Sequence, residues 1–239
     1  MVGLNYTTWQ NAIIDLAVET TPPSADYVTI EPDIINYAEP RIYRELNLLA
    51  TIVRDSSQTV TANSRNFPLP QSLGRFVVVQ GINILTPVGS TVSNGTRVPL
   101  EMTTREFLDW TWPSETAASA TATPQWYAPI TDQIFIVGSP PGAAFTAEVI
   151  GTIRPTPLSA GNTTTYLSQD LPDLFLAASM IFVSGWQKNF GSQSDNPQMA
   201  TSWEAQYEKL FASADLEENR KKYALWMSRA SAPPLKAAA

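Results

Sequence analysis

The sequence predicts an α+β fold, in which a bundle of about four helices carries an inserted antiparallel β module and an extended C-terminal arm. Three observations support this. Apolar residues recur at helical spacing near both ends of the chain, the period changes to two from Thr59 to Ile153, and Pro and Gly are dense in that stretch. The expected division is residues 1–57 for the N-terminal helices, 58–166 for the β module, 167–214 for the C-terminal helices and 215–239 for the arm.

Two helices are expected before the β module. Asn5 is a candidate N-cap for an amphipathic helix over residues 5–19. A second helix is expected to begin near Pro32, because a proline lacks the N–H that would have no partner in a first turn. Pro40 lies inside this second helix and should kink it, since it removes one backbone hydrogen bond.

The β module is predicted from alternating apolar residues. Residues 75–84 form its clearest strand, and apolar residues alternate again over 145–153. Asn94-Gly95 is predicted to form a type I′ hairpin turn between two short strands. Residues 103–110 are typical of a short helix that is capped by Thr103 or Thr104 and has the acidic residue Glu106 in its first turn.

Two further helices are expected after the β module. Residues 174–186 are apolar on almost every face, which indicates a helix buried at the centre of the molecule. The last helix carries Trp203 and Tyr207 on one apolar stripe. We expect Phe182 and Trp186 to pack against Trp203 and Tyr207, because two adjacent helices would bury these large stripes against each other.

The composition excludes most kinds of active site. The chain of 239 residues contains no Cys and no His, so disulfides, thiolate metal sites and His-dependent catalysis are excluded. The sequence lacks the glycine-rich motifs that bind phosphates. The formal net charge of −7 argues against a surface that coats nucleic acid. We expect no catalytic residue, no cofactor and no metal site.

Carboxylate chemistry and Lys chemistry are the kinds of catalysis that remain. Asp170 and Asp173 could act as paired carboxylates, and Asp170 with Glu115 would be the candidates in a glycosidase. The favoured interpretation is that Ser168, Asp170 and Asp173 cap a helix N-terminus and complement its dipole.

The sequence predicts neither export nor a membrane span. Its first residues lack the basic and apolar regions of a secretory signal, and residues 174–186 are shorter than the ~20 residues that cross a bilayer. The chain is expected to stay in the cytoplasm where it is made.

Short motifs follow one another in a particular order between about residues 30 and 212. They are Ala38-Glu39 with Arg41-Ile42 and Arg44, then Leu69-Pro70, Pro124-Gln125-Trp126-Tyr127, Ile134-Phe135-Ile136 before Ser139-Pro140-Pro141, Leu171-Pro172-Asp173-Leu174-Phe175-Leu176, and Ser202-Trp203-Glu204-Ala205-Gln206-Tyr207. In this order they resemble the head-to-tail adaptor, or connector, proteins of tailed bacteriophages, of the short-tailed type. The chain departs from the family pattern at Pro40 and by continuing beyond Phe211.

This resemblance implies a structural virion protein rather than an enzyme. Such a protein would form a homo-oligomeric ring, a dodecamer by resemblance, that joins the portal to a tail or nozzle protein. Double-stranded DNA would pass through the ring without specific binding during genome packaging and ejection, and an acidic ring suits such sliding. The protein would be made in the host cytoplasm, would lie at the head-to-tail interface of the virion, and would contact no membrane.

The C-terminal arm carries the expected contacts with the portal or with neighbouring subunits. It resembles the arms by which adaptors of short-tailed phages grip the portal. Its anchors would be aromatic and apolar side chains after a basic cluster. The alternatives are a solvated helix face for the basic cluster and a tail that folds back on its own subunit. The expected contact residues are Tyr223, Leu225, Trp226, Arg220, Lys221 and Lys222.

A carbohydrate-binding β module is the alternative function. Trp126 and Tyr127, with Trp110 and Trp112 upstream, could form an aromatic platform for a sugar. Aromatic residues in strand-rich regions are more often core or interface anchors.

Overall fold

The computed structural model describes residues 3–17, 23–116, 119, 122–187 and 197–230, with the backbone alone for 197–200 and 225–230. The chain divides into a helical unit, residues 1–50 with 157–239, and a β unit, residues 51–156. The α+β prediction is confirmed. In chain order the elements are α1 (Tyr6–Ala17), α2 (Ala25–Glu45), a 3-10 turn (Leu49–Thr51), β1 (Ile52–Val60), β2 (Asn66–Pro68), β3 (Arg75–Thr86), β4 (Thr96–Pro99), β5 (Glu101–Met102), α3 (Arg105–Thr111), β6 (Trp126–Pro129), β7 (Ile134–Gly138), β8 (Phe145–Arg154), α4 (Tyr166–Asp170), α5 (Pro172–Gln187) and α6 (Pro197–Ala230).

The first helix is capped as its sequence predicts, but the second begins earlier. Asn5 Oδ1 accepts a hydrogen bond from Thr8 N at 2.9 Å, so Asn5 caps α1. The predicted start of α2 at Pro32 is wrong. Ser24 is the N-cap, and its Oγ accepts from Tyr27 N at 3.2 Å. Pro32 therefore lies inside α2, as Pro40 does.

The centre of the helical unit is α5, as predicted. The Trp9 ring lies 5.7 Å from the Phe175 ring, and Trp9 Nε1 donates to Ser179 Oγ at 3.3 Å. Nine residues of α5 are buried, on more than one helix face. Among the described helices, none has the length and hydropathy to cross a membrane.

The aromatic side chains at the end of α5 have ring partners on α2. The Phe182 ring lies 5.5 Å from Tyr37, and the Trp186 ring lies 6.5 Å from Tyr27. Both partners belong to α2. The earlier start of α2 places Tyr27 on this helix, where the sequence predicted a connection. Phe182, Trp186 and Trp203 all pack against the apolar core that contains Tyr207. The direct contact of Phe182 and Trp186 with the α6 aromatic residues stays a prediction.

The β unit contains two four-stranded sheets. The first has the strand order β1-β8-β3-β4 and the second has the order β2-β7-β6-β5. One apolar core is shared by both, with Phe76, Phe145 and Val149 from the first sheet and Phe67 and Tyr127 from the second. Alternate residues of β8 from Phe145 to Ile153 face this core, so the predicted alternation is confirmed.

The predicted type I′ turn at Asn94-Gly95 is wrong. A type I′ turn needs positive φ at both central residues, and among the described residues only Asn63, Gly74 and Gly89 have positive φ. Instead, Asn94 Oδ1 accepts from Thr91 N at 2.7 Å, and Gly95 N donates to Thr91 O at 2.9 Å. The Asn94 side chain therefore closes a local turn, and β4 begins only at Thr96.

Helix α3 forms a third layer on the outer face of the second sheet. Thr104 is its N-cap, as the sequence predicts, and Thr104 Oγ1 accepts from Phe107 N at 3.3 Å. Leu108 packs against Ala128 and Ile136, which alternate with the core-facing residues of β6 and β7. The layers are thus the first sheet, the shared core, the second sheet and α3.

Candidate interaction surfaces

A cluster of four side chains holds α6 against α2. We call Arg41, Glu45, Glu204 and Tyr207 the Arg41 cluster. Arg41 binds Glu204 through both terminal nitrogens, with Nη1 2.9 Å from Oε2, and its Nε lies 3.1 Å from Glu45 Oε1. The guanidinium carbon lies 4.3 Å from the centre of the Tyr207 ring. Tyr207 donates to Glu45 Oε2 at 2.5 Å, which closes the cluster.

The electrostatics of the Arg41 cluster favour its charged form. The hydrogen bonds from Arg41 lower the pKa of the Glu204 carboxyl. The pKa of Arg41 is raised by the same hydrogen bonds, and burial followed by the Glu45 carboxylate raises that of Tyr207. Arg41 and Glu204 are therefore ionised at neutral pH. The four contacts agree with the ion-pair role that arginine commonly has on helix surfaces.

A second anchor for α6 lies at Glu218, which is only 2% exposed. Its Oε2 accepts from Leu49 N at 2.9 Å, and its Oε1 accepts from Tyr166 OH at 3.1 Å and Lys221 Nζ at 2.8 Å. Burial alone would raise the pKa of Glu218, but these hydrogen bonds outweigh it, so the pKa is lowered. Both oxygens of this buried carboxylate therefore accept hydrogen bonds. It lines a depression of about 280 Å³ with Leu49, Ala50, Tyr166 and Lys221.

The predicted contact residues take different positions on α6. Lys221 binds Glu217 and Glu218, and Lys222 Nζ donates to Asn47 O, so both contact their own helical unit. Arg220 and Tyr223 are exposed. Leu225 and Trp226 continue the same helix, but their side chains lie outside the described residues.

Sequence reasoning missed the buried position of Glu218, and it missed that Leu216 lies beside the exposed Arg220 and Tyr223. Glu218 sits in the run Asp215 to Lys222, which has the composition of a solvated face. Leu216 is half exposed, and its spacing to Arg220 and Tyr223 places all three on one side of the helix. We call these three residues the α6 outer face. Only the helical spacing from Leu216 to Tyr223 could have indicated it.

A buried carboxyl group in α2 was also missed. Glu39 Oε1 accepts from Leu158 N at 3.2 Å and from Thr165 Oγ1 at 3.3 Å. Burial raises the pKa of Glu39 to about 7, against the opposing effect of these two hydrogen bonds. The carboxyl thus links α2 to the segment that precedes α4.

The four aromatic residues proposed as a sugar platform do not share one exposed face. Tyr127 is buried in the core of the β unit, and Trp126 and Trp112 are half buried beside Phe107. Trp110 is 83% exposed. This arrangement gives a sugar ring no platform made of all four residues.

The candidate catalytic carboxylates lie at helix ends or on the surface. Asp173 Oδ1 accepts from Leu174 N at 2.9 Å, and Ser168 completes a capping box with Thr165, the N-cap of α4. Asp170 and Glu115 are exposed. Among the described residues there is no group of three or more acidic side chains that could hold a metal ion.

Comparison with known proteins identifies a family. A family model described as SU10 adaptor protein matches residues 4–233, which is nearly the whole chain. The search of curated proteins found no match to the chain.

Proposed function

We propose that this chain, which belongs to the SU10 adaptor protein family, forms a ring that joins the portal of a phage head to its tail. As a phage adaptor, the protein is a structural component of the virion. The match over residues 4–233 is the observation that carries the proposal, because it includes the whole β unit, nearly all of the helical unit and all of α6. The partners would be further copies of this chain, the portal protein, and a tail or nozzle protein.

The proposed portal contact is the α6 outer face and the helix that follows it. The Arg41 cluster and Glu218 fix α6 to its own unit at two points, and they leave Leu216, Arg220 and Tyr223 exposed. Exposed apolar and aromatic residues beside an arginine have the composition of interface anchors. We assign Leu225 and Trp226 to the same contact. Lys221 and Lys222 would set the position of the helix.

The proposed ring is a dodecamer that surrounds the DNA channel. The chain has a formal net charge of −7 and a pI of about 4.6. Like charge repels the phosphate backbone, so an acidic channel would let DNA slide during packaging and ejection.

The test of this function is assembly on the portal of the phage that encodes the chain. Native mass spectrometry of the purified chain, alone and with portal, should show a ring in at least one condition. A chain that stays monomeric in both would refute the proposal.

The portal contact has a test of its own. Tyr223→Ala, and truncation after Ala224, should each weaken binding to portal by about tenfold or more, as expected for the loss of a hot-spot side chain. Val28→Ala is a matched control, because Val28 is also about half exposed but lies on α2. Unchanged binding by both α6 variants would show that α6 is not the portal contact.

A further inference from the structure

The first sheet of the β unit exposes apolar side chains between rows of arginine. Ile52 of β1 and Val78 of β3 both lie opposite Thr152 of β8, so they form one row on the same face. Val77, beside the bulge in β3, is 58% exposed, and Ile52 and Val78 are exposed too. We call Ile52, Val77 and Val78 the sheet patch.

Basic side chains border the sheet patch on both sides. In the next row Arg75 of β3 lies opposite Arg154 of β8, and Arg54 follows Ile52 by two residues on β1. All three lie on the outer face, because side chains two apart on a strand share a face. Arg75 pairs with the exposed Asp132, which leaves the border with a net positive charge.

An aromatic patch lies on the opposite outer surface of the same unit. Phe107 of α3 packs edge-on against Trp112 and Trp126, with ring centres 6.3 and 5.9 Å away. Trp110, three residues after Phe107, is the most exposed large apolar side chain among the described residues. We call these four residues the aromatic patch.

The aromatic patch has an acidic border. Glu106 is exposed and lies one helical turn before Trp110. Glu101 is exposed and lies opposite Trp126 on the neighbouring strand of the second sheet. Asp109 is paired with Arg65 and Arg105. Both patches are thus apolar, and the charges at their borders are opposite in sign.

We propose that in the ring the aromatic patch of one copy packs against the sheet patch of the next copy. This inference rests on the proposed function, because it names the contact between neighbouring subunits. Two different patches on opposite sides of one unit form a heterologous contact, which each added copy repeats until the ring closes. Trp110 would be the central anchor, and Glu101 and Glu106 would face the arginines of the neighbouring copy.

Cysteine cross-linking tests this contact directly, because the chain contains no Cys of its own. Trp110 and Val78 are both exposed, so each tolerates substitution without loss of the core. Under the conditions in which the wild-type chain forms rings, a short bis-maleimide should link the Trp110→Cys/Val78→Cys double variant into a ladder of oligomers. A mixture of the two single variants should give only dimers, since each copy then offers one reactive patch.

The control keeps Trp110→Cys and replaces Val78→Cys by Val88→Cys, an equally exposed position in the β3–β4 connection. This control should give no ladder. Dimers from Trp110→Cys alone would mean that two aromatic patches meet, which overturns the inference. A double variant that still forms rings but gives no ladder would also overturn it and would leave the proposed ring standing. Loss of the ring in variants with Trp110→Cys, with rings kept by Val88→Cys alone, would support Trp110 as the anchor. A wild-type chain that never forms rings would overturn both.

Discussion

Replacing the buried Glu39 by glutamine should remove a pH-dependent cost from the helical unit. Burial raises the pKa of this carboxyl from 4.5 to about 7. The folded protein therefore holds the proton more tightly than the unfolded chain. The contribution of Glu39 to stability is fully present below pH 4.5 and is lost as the pH rises through 7.

The size of the effect follows from the two pKa values. The difference of about 2.5 units (7 − 4.5) corresponds to about 3 kcal/mol at 1.36 kcal/mol per unit. Glutamine is neutral at every pH, and its Oε1 can still accept from Leu158 N and Thr165 Oγ1. Glu39→Gln should therefore be more stable than the wild type above neutral pH, by up to about 3 kcal/mol.

Urea unfolding followed by tryptophan fluorescence, at about pH 5 and about pH 8, measures this difference. Other carboxyls have lowered pKa values and oppose the trend in both proteins, so the difference between wild type and variant isolates Glu39. Glu208→Gln is a control on the exposed surface of α6. If the wild type and Glu39→Gln show the same change in stability between the two pH values, the argued cost of burial is wrong. The carboxyls with lowered pKa values are Asp55, Glu148, Glu204 and Glu218.

Two further predictions concern the packing of the helical unit. Phe175→Ala should lower the free energy of unfolding by about 3 to 5 kcal/mol, because Phe175 is fully buried against Trp9; calorimetry that shows an unchanged melting temperature would contradict its central position. Glu204→Gln should cost about 1 to 3 kcal/mol, because half-buried Arg41 loses one of its two charged partners. A double-mutant cycle with Arg41→Met measures that coupling, and a value near zero would show that the pair of Arg41 and Glu204 contributes nothing to stability.

Local signals predicted the helices well where a cap stood beside the apolar stripe. Asn5 and Thr104 both act as the N-caps that their sequences indicate. Ser24 carries the same signal, but the preference of proline for a first turn indicates a start at Pro32, which is later than the observed start of α2. The Asn94-Gly95 dipeptide predicted a type I′ turn that does not form. The Asn94 side chain accepts a hydrogen bond from Thr91 N instead, and this turn does not require positive φ at Asn94 or Gly95.

The anchors of α6 could not be predicted from local sequence. Arg41 and Glu204 are 163 residues apart, and Leu49 and Glu218 are 169 residues apart. No spacing rule links such distant residues. A charged residue in an acidic run has the same local pattern whether it is solvated or, like Glu218, buried.

The division of the helical unit into two segments has a consequence for the newly made chain. The indole N–H of Trp9 donates to Ser179, which is synthesised 170 residues later. At about 5 to 20 residues per second, translation leaves α1 and α2 without α5 for roughly 10 to 30 s. The β unit, which is continuous from 51 to 156, ends before α5 begins at Pro172. The order of synthesis therefore favours a folded β unit first, while the apolar faces of α1 and α2 stay open to chaperones until the ribosome delivers α5.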